Sequence, residues 1–154
     1  MKKKILFLAI FLLTFALHAQ SAEVITQILE AEQVTLGQVC YLSAVQQGLV
    51  GEKATYQQAL QILEEKEQIP KYQFVDMPVP YANLCYIFSK MWNVKGGIMY
   101  RVFKSAPRYA FKQFKYDGVI PSNADPNHFL SGQEALNVFT SCSLKYGKME
   151  LTIE

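Results

Sequence analysis

Histidine, cysteine and long apolar runs are scarce in this chain. It carries 3 cysteines and 2 histidines in 154 residues. Cys40, Cys85 and Cys142 are too widely spaced for a zinc motif, and three thiols allow at most one internal bridge. A disulfide-stapled miniature scaffold is therefore excluded, as is any recognisable zinc pattern. No serine-nucleophile motif, phosphate loop or paired catalytic carboxylates are legible. Beyond Ser21 no apolar run approaches the roughly 20 residues that a membrane-spanning helix needs. Acids are missing from one long stretch, between Asp76 and Asp117. What is present, 51% hydrophobic and 18% charged residues, suits a globular chain of one domain.

The first residues read as an export signal. Met1–Lys4 is basic, Ile5–Leu17 is apolar, and Ala19, Ser21 and Ala22 supply small residues for cleavage after Ala19 or Ser21. No cysteine stands at the junction, so a lipoprotein signal is absent. Losing Lys2, Lys3 and Lys4 takes the basic residues from 15 to 12 against 13 acids, so net charge moves from +2 to about −1. The expected organisation is a signal peptide over 1–21 and a single domain over 22–154. The mature chain is expected to be exported, to the periplasm or the outer surface, with no transmembrane segment after signal cleavage.

Two internal offsets organise the rest. A shift of 51 positions lays Ala59-Leu60 on Ala110-Phe111, Leu63 on Phe114 and Ile69-Pro70 on Ile120-Pro121. A shift of 45 lays Val34 on Val79, Cys40-Tyr41 on Cys85-Tyr86 and Gly51 on Gly96. The difference of six positions fits an insertion around Gly97–Ser105. Each unit, about 22–51, 55–96 and 105–146, reads as helix, loop, helix. Capping boxes are visible at Thr35–Gln38, Thr55–Gln58 and Ser131–Glu134, where a hydroxyl and an acid or amide satisfy each other's orphan amides. Pro80 suits a first helical position, and a further helix is expected to begin after Ser105-Ala106-Pro107. Val24, Ile25, Ile28 and Leu29 give an amphipathic N-terminal helix, and Tyr72–Val75 could make a short extended pairing.

The expected fold is mainly α, a compact bundle of about three pseudo-equivalent helix-loop-helix units. Its core should include Val39, Leu42, Leu60, Leu63, Leu84, Ile87, Phe88, Phe111, Phe114, Leu136, Val138 and Phe139.

Arg108–Leu144 resembles an S-layer homology repeat. Tyr109-Ala110-Phe111, Asp117-Gly118-Val119-Ile120, Phe129-Leu130 and Ser131-Gly132-Gln133-Glu134 fill that family's aromatic helix, turn, loop end and second helix start in order. Tyr56–Val94 matches less fully, and Val34–Leu49 covers only the second half of a unit. The resemblance implies a helical bundle of about three units, and in wall-binding members it implies an arginine second in a Thr-Arg-Ala-Glu helix start. Leu36, Tyr81 and Gly132 stand there instead, and only Glu134 keeps the acid. None of them can offer a guanidinium fork to carboxylates. Pyruvylated polysaccharide is therefore not expected at the helix starts.

A basic, aromatic stretch is the candidate binding surface. Lys90, Lys95, Arg101, Lys104, Arg108, Lys112 and Lys115 are interleaved with aromatics that include Trp92 and Tyr100. Cations beside ring platforms suit anionic glycans, and the same rings at helical spacing also suit a core. Export disfavours nucleic acid as the partner. Asn123, Asp125, Asn127, Ser131 and Glu134 follow a calcium-loop template, but Pro126 and His128 break it and the capping box explains Ser131 and Glu134 without a metal. Cys40 and Cys85 occupy matching helix positions, where they could pack as small hydrophobes or approach as a disulfide.

The resulting expectation is a non-catalytic exported module for envelope structure or protein interaction, with no metal or cofactor. The alternative is an anionic cell-wall polysaccharide module using residues 90–116. The partner is correspondingly an envelope protein or an anionic glycan.

Overall fold

The computed structural model describes residues 22–70, 74–103 and 106–147. The export signal expected over 1–21, Tyr72, Gln73 and Lys104 lie outside the described residues. The described chain is mainly helical. A first helix, α1, covers 22–29, followed by α2 (Leu36–Gln46), α3 (Tyr56–Glu65), α4 (Tyr81–Met91), α5 (Ile98–Val102), α6 (Pro107–Tyr116) and α7 (Gly132–Tyr146). No described helix is long and apolar enough to cross a membrane.

The helix starts follow from local chemistry. At α2 the Gln38 N–H donates to Thr35 Oγ1 while the Thr35 N–H donates to Gln38 Oε1 at 2.9 Å. Thr55 with Gln58 and Ser131 with Glu134 close the same reciprocal box on α3 and α7. Pro107 occupies the first turn of α6, where a missing N–H leaves nothing unpaired. Pro80 departs from the sequence expectation. It is the N-cap of α4, not its first helical residue, with ψ at 152°. Its extended backbone bridges Phe129 on the neighbouring loop, an arrangement a helical proline could not make.

The helix ends repeat the two offsets. Four helices close through a residue of positive φ: Gly48 after α2, Glu67 after α3, Asn93 after α4 and Gly118 after α6. In each case the next N–H reaches back to the last turn: Leu49 to Ala44 O, Gln68 to Leu63 O, Val94 to Ser89 O and Val119 to Phe114 O, all within 2.8–2.9 Å. This is the Schellman closure, which satisfies carbonyls that the helix itself cannot. Gly48 and Asn93 are 45 positions apart, and Glu67 and Gly118 are 51 apart, matching the sequence offsets.

The starts of α2, α4 and α7 are tied into a closed ring. The Leu36 N–H donates to Met77 O at 2.8 Å, Tyr81 N–H to His128 O at 2.9 Å, and Gly132 N–H to Ala31 O at 2.9 Å. Each first helical residue thus bonds the segment leading into the next, and the third returns to the first. Val34 N–H to Leu130 O (2.8 Å) and Val79 N–H to Val34 O (3.0 Å) reinforce it. Of the extended pairing anticipated at Tyr72–Val75, Tyr72 and Gln73 lie outside the described residues, while Val75 O accepts from the Gly37 N–H at 2.8 Å. Further bridges form at Thr35–Pro78 and Pro80–Phe129. Isolated bridges suffice because three short segments satisfy one another's backbone groups in the interior.

Side chains from all units fill one core. α2 packs on α3 and on α4, α4 packs on α6, and α7 packs more lightly on α4. Leu63 and Phe114, the matched pair on α3 and α6, are both fully buried. Val39, Leu42, Leu60, Leu84, Ile87, Phe88, Phe111 and Val138 are buried as expected. Leu136 and Phe139 are only half-buried, because α7 meets the bundle along a narrower stripe than its periodicity implies. Phe139 still sets its ring edge-on against Phe88 and Trp92. On α1 only Ile28 is fully covered, while Ile25 and Leu29 stay exposed, so its apolar stripe is narrower than its sequence suggests.

Candidate functional site

The anticipated basic surface divides into two parts. Lys90, at the end of α4, stands over the Tyr86 ring at 5.1 Å, and Lys115 stands over the Phe111 ring at 4.9 Å. Both place a charged head above an aromatic face whose body is buried, a stabilising use of charge. Lys95, Arg101, Arg108 and Lys112 are exposed, and none makes an ion pair among the described residues. Arg108, Lys112 and Lys115 line one face of α6 at helical spacing. Arg101 donates through Nε to the Lys95 carbonyl at 3.2 Å, which draws those two residues together.

The aromatic members are placed otherwise. Tyr100 is buried, and its ring lies against Gly96, where a Cβ would collide with it. Trp92 is half-buried between Phe88 and Phe139 at centroid distances of 5.8 and 5.2 Å. The Tyr100 ring is therefore closed to a stacking partner. Trp92 and Lys95 do share a cleft of about 560 Å³ with Gln46, Met91 and Tyr146.

Phe103 and Tyr109 stood among the aromatics that the sequence interleaves with these cations, but sequence reasoning missed Ile98, Met99 and Val102 beside them. Ile98 is 78% exposed, Val102 66%, Met99 58% and Phe103 41%. Residues 98 and 102, and 99 and 103, are four apart, so the four form one outward apolar face while Tyr100 points inward. Phe103 stacks on Tyr109 at 4.6 Å with the planes 12° apart, and Lys112 Nζ lies 5.6 Å above that same Tyr109 ring. The Gly97 N–H donates to Gln113 Oε1 at 2.9 Å, fastening α5 to α6. The signal that could have found this face is the insertion itself: apolar pairs at positions 98–99 and 102–103 that the other unit lacks.

The three helix starts show why arginine is absent from them. Leu36 is fully buried, and Tyr81 is buried with its ring edge-on to Phe111 at 5.5 Å. At Gly132 a Cβ would fall on the Ile28 carbonyl oxygen, because α1 ends against the start of α7. A guanidinium at any of these positions would displace packed groups.

A groove of about 750 Å³ mixes polar Asp125, His128, Glu134 and Asn137 with apolar Ile120 and Val138. Glu134 accepts from the Ser131 N–H at 2.8 Å and from its hydroxyl at 2.9 Å, and lies 3.3 Å from His128 Nε2. The Ser131 N–H foremost holds the Glu134 carboxyl below its usual range, against a smaller opposing effect of burial. An acid poised to donate a proton needs the opposite shift. The calcium-template carboxylate is thus a helix cap, and no cluster of three or more His, Cys, Asp or Glu among the described residues could hold a metal.

Cys40, Cys85 and Cys142 are free and buried. Burial pushes the Cys40 thiol up to about 12 and the other two upward as well, with Cys142 contributing to the shift at Cys85. Thiols held protonated are poor nucleophiles and behave as core hydrophobes. In comparisons with known proteins, no family model, no curated protein and no solved structure matches this chain.

Proposed function

We propose that the protein is an exported, non-catalytic module of the cell envelope, built on divergent S-layer-homology-like units, that works by docking through its α5–α6 face. One observation carries this reading. The insertion that separates the two offsets presents Ile98, Met99, Val102 and Phe103 to solvent beside cations without ion-pair partners among the described residues. Contiguous exposed apolar surface rimmed by charge is the usual mark of an interaction site. The ring of helix starts supports the family-like architecture. The burial of Leu36, Tyr81 and Gly132 supports a mode of attachment other than the arginine fork of wall-binding repeats.

A second reading is an anionic wall polysaccharide held by Lys95, Arg101, Arg108 and Lys112, favoured by the absence of acids from Asp76 to Asp117. The experiment is a pull-down from the native envelope, with protein and polysaccharide fractions assayed separately. The docking reading requires capture that falls when Ile98 and Val102 are changed to serine. Capture that is salt-sensitive, confined to polysaccharide and indifferent to those serines supports the second reading. Capture unaffected both by those serines and by Lys95→Gln, Arg101→Gln and Lys112→Gln sinks both.

A further inference from the structure

Resting on the docking reading of the α5–α6 face, we propose that its partner is the surface of an anionic phospholipid bilayer. α5 projects four apolar side chains outward, and one of them, Phe103, is backed by a stacked Tyr109 that holds it in place. Cations come to this face from three elements. Lys112 of α6 stands over the Tyr109 ring on which Phe103 stacks, and Arg101 belongs to α5 itself. Lys95 precedes α5 with its carbonyl bonded by Arg101 Nε, while Arg108 is exposed beside Tyr109 in sequence. An apolar projection inside a cationic rim is the arrangement that enters the headgroup boundary while its charges meet lipid phosphates.

The chemistry of the rim decides among partners. Ile98, Met99, Val102, Phe103, Lys95, Arg101, Arg108 and Lys112 together offer side-chain donors and no strong side-chain acceptor. A protein partner presents donors and acceptors alike, and interfaces of that kind pair both. A bilayer of anionic lipid presents phosphate oxygens, which accept, above acyl chains, which need nothing. A glycan would use open ring faces; Tyr116 offers one at the C-terminal end of α6, but at the apolar centre Tyr100 is buried and Phe103 already has one face on Tyr109. The one sign of charge and the apolar centre both match lipid.

The test is co-sedimentation of the full chain, as recovered from its producing cells, with vesicles of equal phosphatidylglycerol and phosphatidylcholine or of phosphatidylcholine alone. All variants share one N-terminus, so any lipid affinity of residues 5–17 is common to them. The wild type is expected to partition onto the anionic vesicles and to be released by salt. Lys95→Gln, Arg101→Gln and Lys112→Gln should each weaken partitioning about fivefold. Ile98→Ser with Val102→Ser should weaken it more than tenfold, and Lys53→Gln with Lys66→Gln should leave it unchanged. Circular dichroism and thermal midpoints should not move, since the altered side chains are exposed. Equal partitioning of every variant, or equal binding to neutral vesicles, overturns the proposal. Absence of vesicle binding, with capture of an envelope protein or polysaccharide that still depends on these residues, overturns the lipid partner while the docking face stands. Capture indifferent to all of them removes the docking reading as well.

Discussion

Two equivalent linkers in this molecule solve the same connection differently. From α2 to α3 the chain turns at Gly48 and crosses Gly51–Thr55, fastened by the Tyr41 hydroxyl donating to Glu52 O at 2.8 Å. From α4 to α6 it turns at Asn93, passes Gly96 and then inserts α5 before reaching Pro107. The helices on either side are matched, down to their left-handed closing residues. The longer linker is therefore not needed to join them. What it adds is a small apolar face that the fold leaves uncovered, and that contrast separates what holds the structure from what it presents.

The contrast can be attacked first in the core. Leu63→Ala and Phe114→Ala remove matched, fully buried side chains and should each cost about 3–4 kcal/mol, read from denaturant midpoints. A loss at one position with no loss at the other would show that the two flanking helix pairs are not equivalent. Deleting positions 98–103 should cost less, about 2–3 kcal/mol, chiefly the burial of Tyr100, while the far-ultraviolet spectrum keeps its helical shape. A deletion that unfolds the chain would make α5 part of the scaffold and erase the distinction between the linkers.

The closing residues sharpen it further. Gly118→Ala places a Cβ at a φ of 72° with open space around it, so its cost of about 1 kcal/mol is purely backbone. Glu67→Gly, at a φ of 54°, should have the opposite sign and gain about 0.5 kcal/mol. Two effects of the same sign would show that the 51-residue offset does not carry equivalent helix ends.

The smallest effect concerns pH. Glu134 is the one titrating member of the three capping boxes, since Gln38 and Gln58 fill its place elsewhere. Its pKa is lowered on folding, so its contribution is fully present above the ordinary carboxylate range and is lost as pH falls through the lowered value. Thermal midpoints across the acid range should decline less steeply in Glu134→Gln. An identical slope in the variant would mean the cap contributes nothing through charge.

Much of this architecture was written in short-range pattern. The offsets of 45 and 51, the three capping boxes and the turn at Pro107 all depend on neighbouring residues, and they emerge in place. Long-range contacts were not legible. Nothing local shows that Pro80 pairs with Phe129, or that Gly132 is small because the Ile28 carbonyl lies against it. Glu67 and Asn93 hide two of the four left-handed closures because neither is glycine. At the candidate site the cations and the rings of Phe103 and Tyr109 were visible, and Ile98, Met99 and Val102 were not. A five-residue helix is too short to display an amphipathic period, and Trp92 and Tyr100 carry the same residue signature whether packed or exposed.

The ring of helix starts also has a consequence in time. Its last hydrogen bond joins Ala31 to Gly132, nearly the whole described chain apart. During synthesis, Val34 and Val79 can pair as soon as both have left the ribosome, but that partial assembly has an open edge where Leu130 belongs. Until the third start arrives, backbone groups at that edge are available to any other extended segment, including one from a second nascent copy. Closure is thus a single late event that converts a sticky two-part intermediate into a ring with no free edge at these segments.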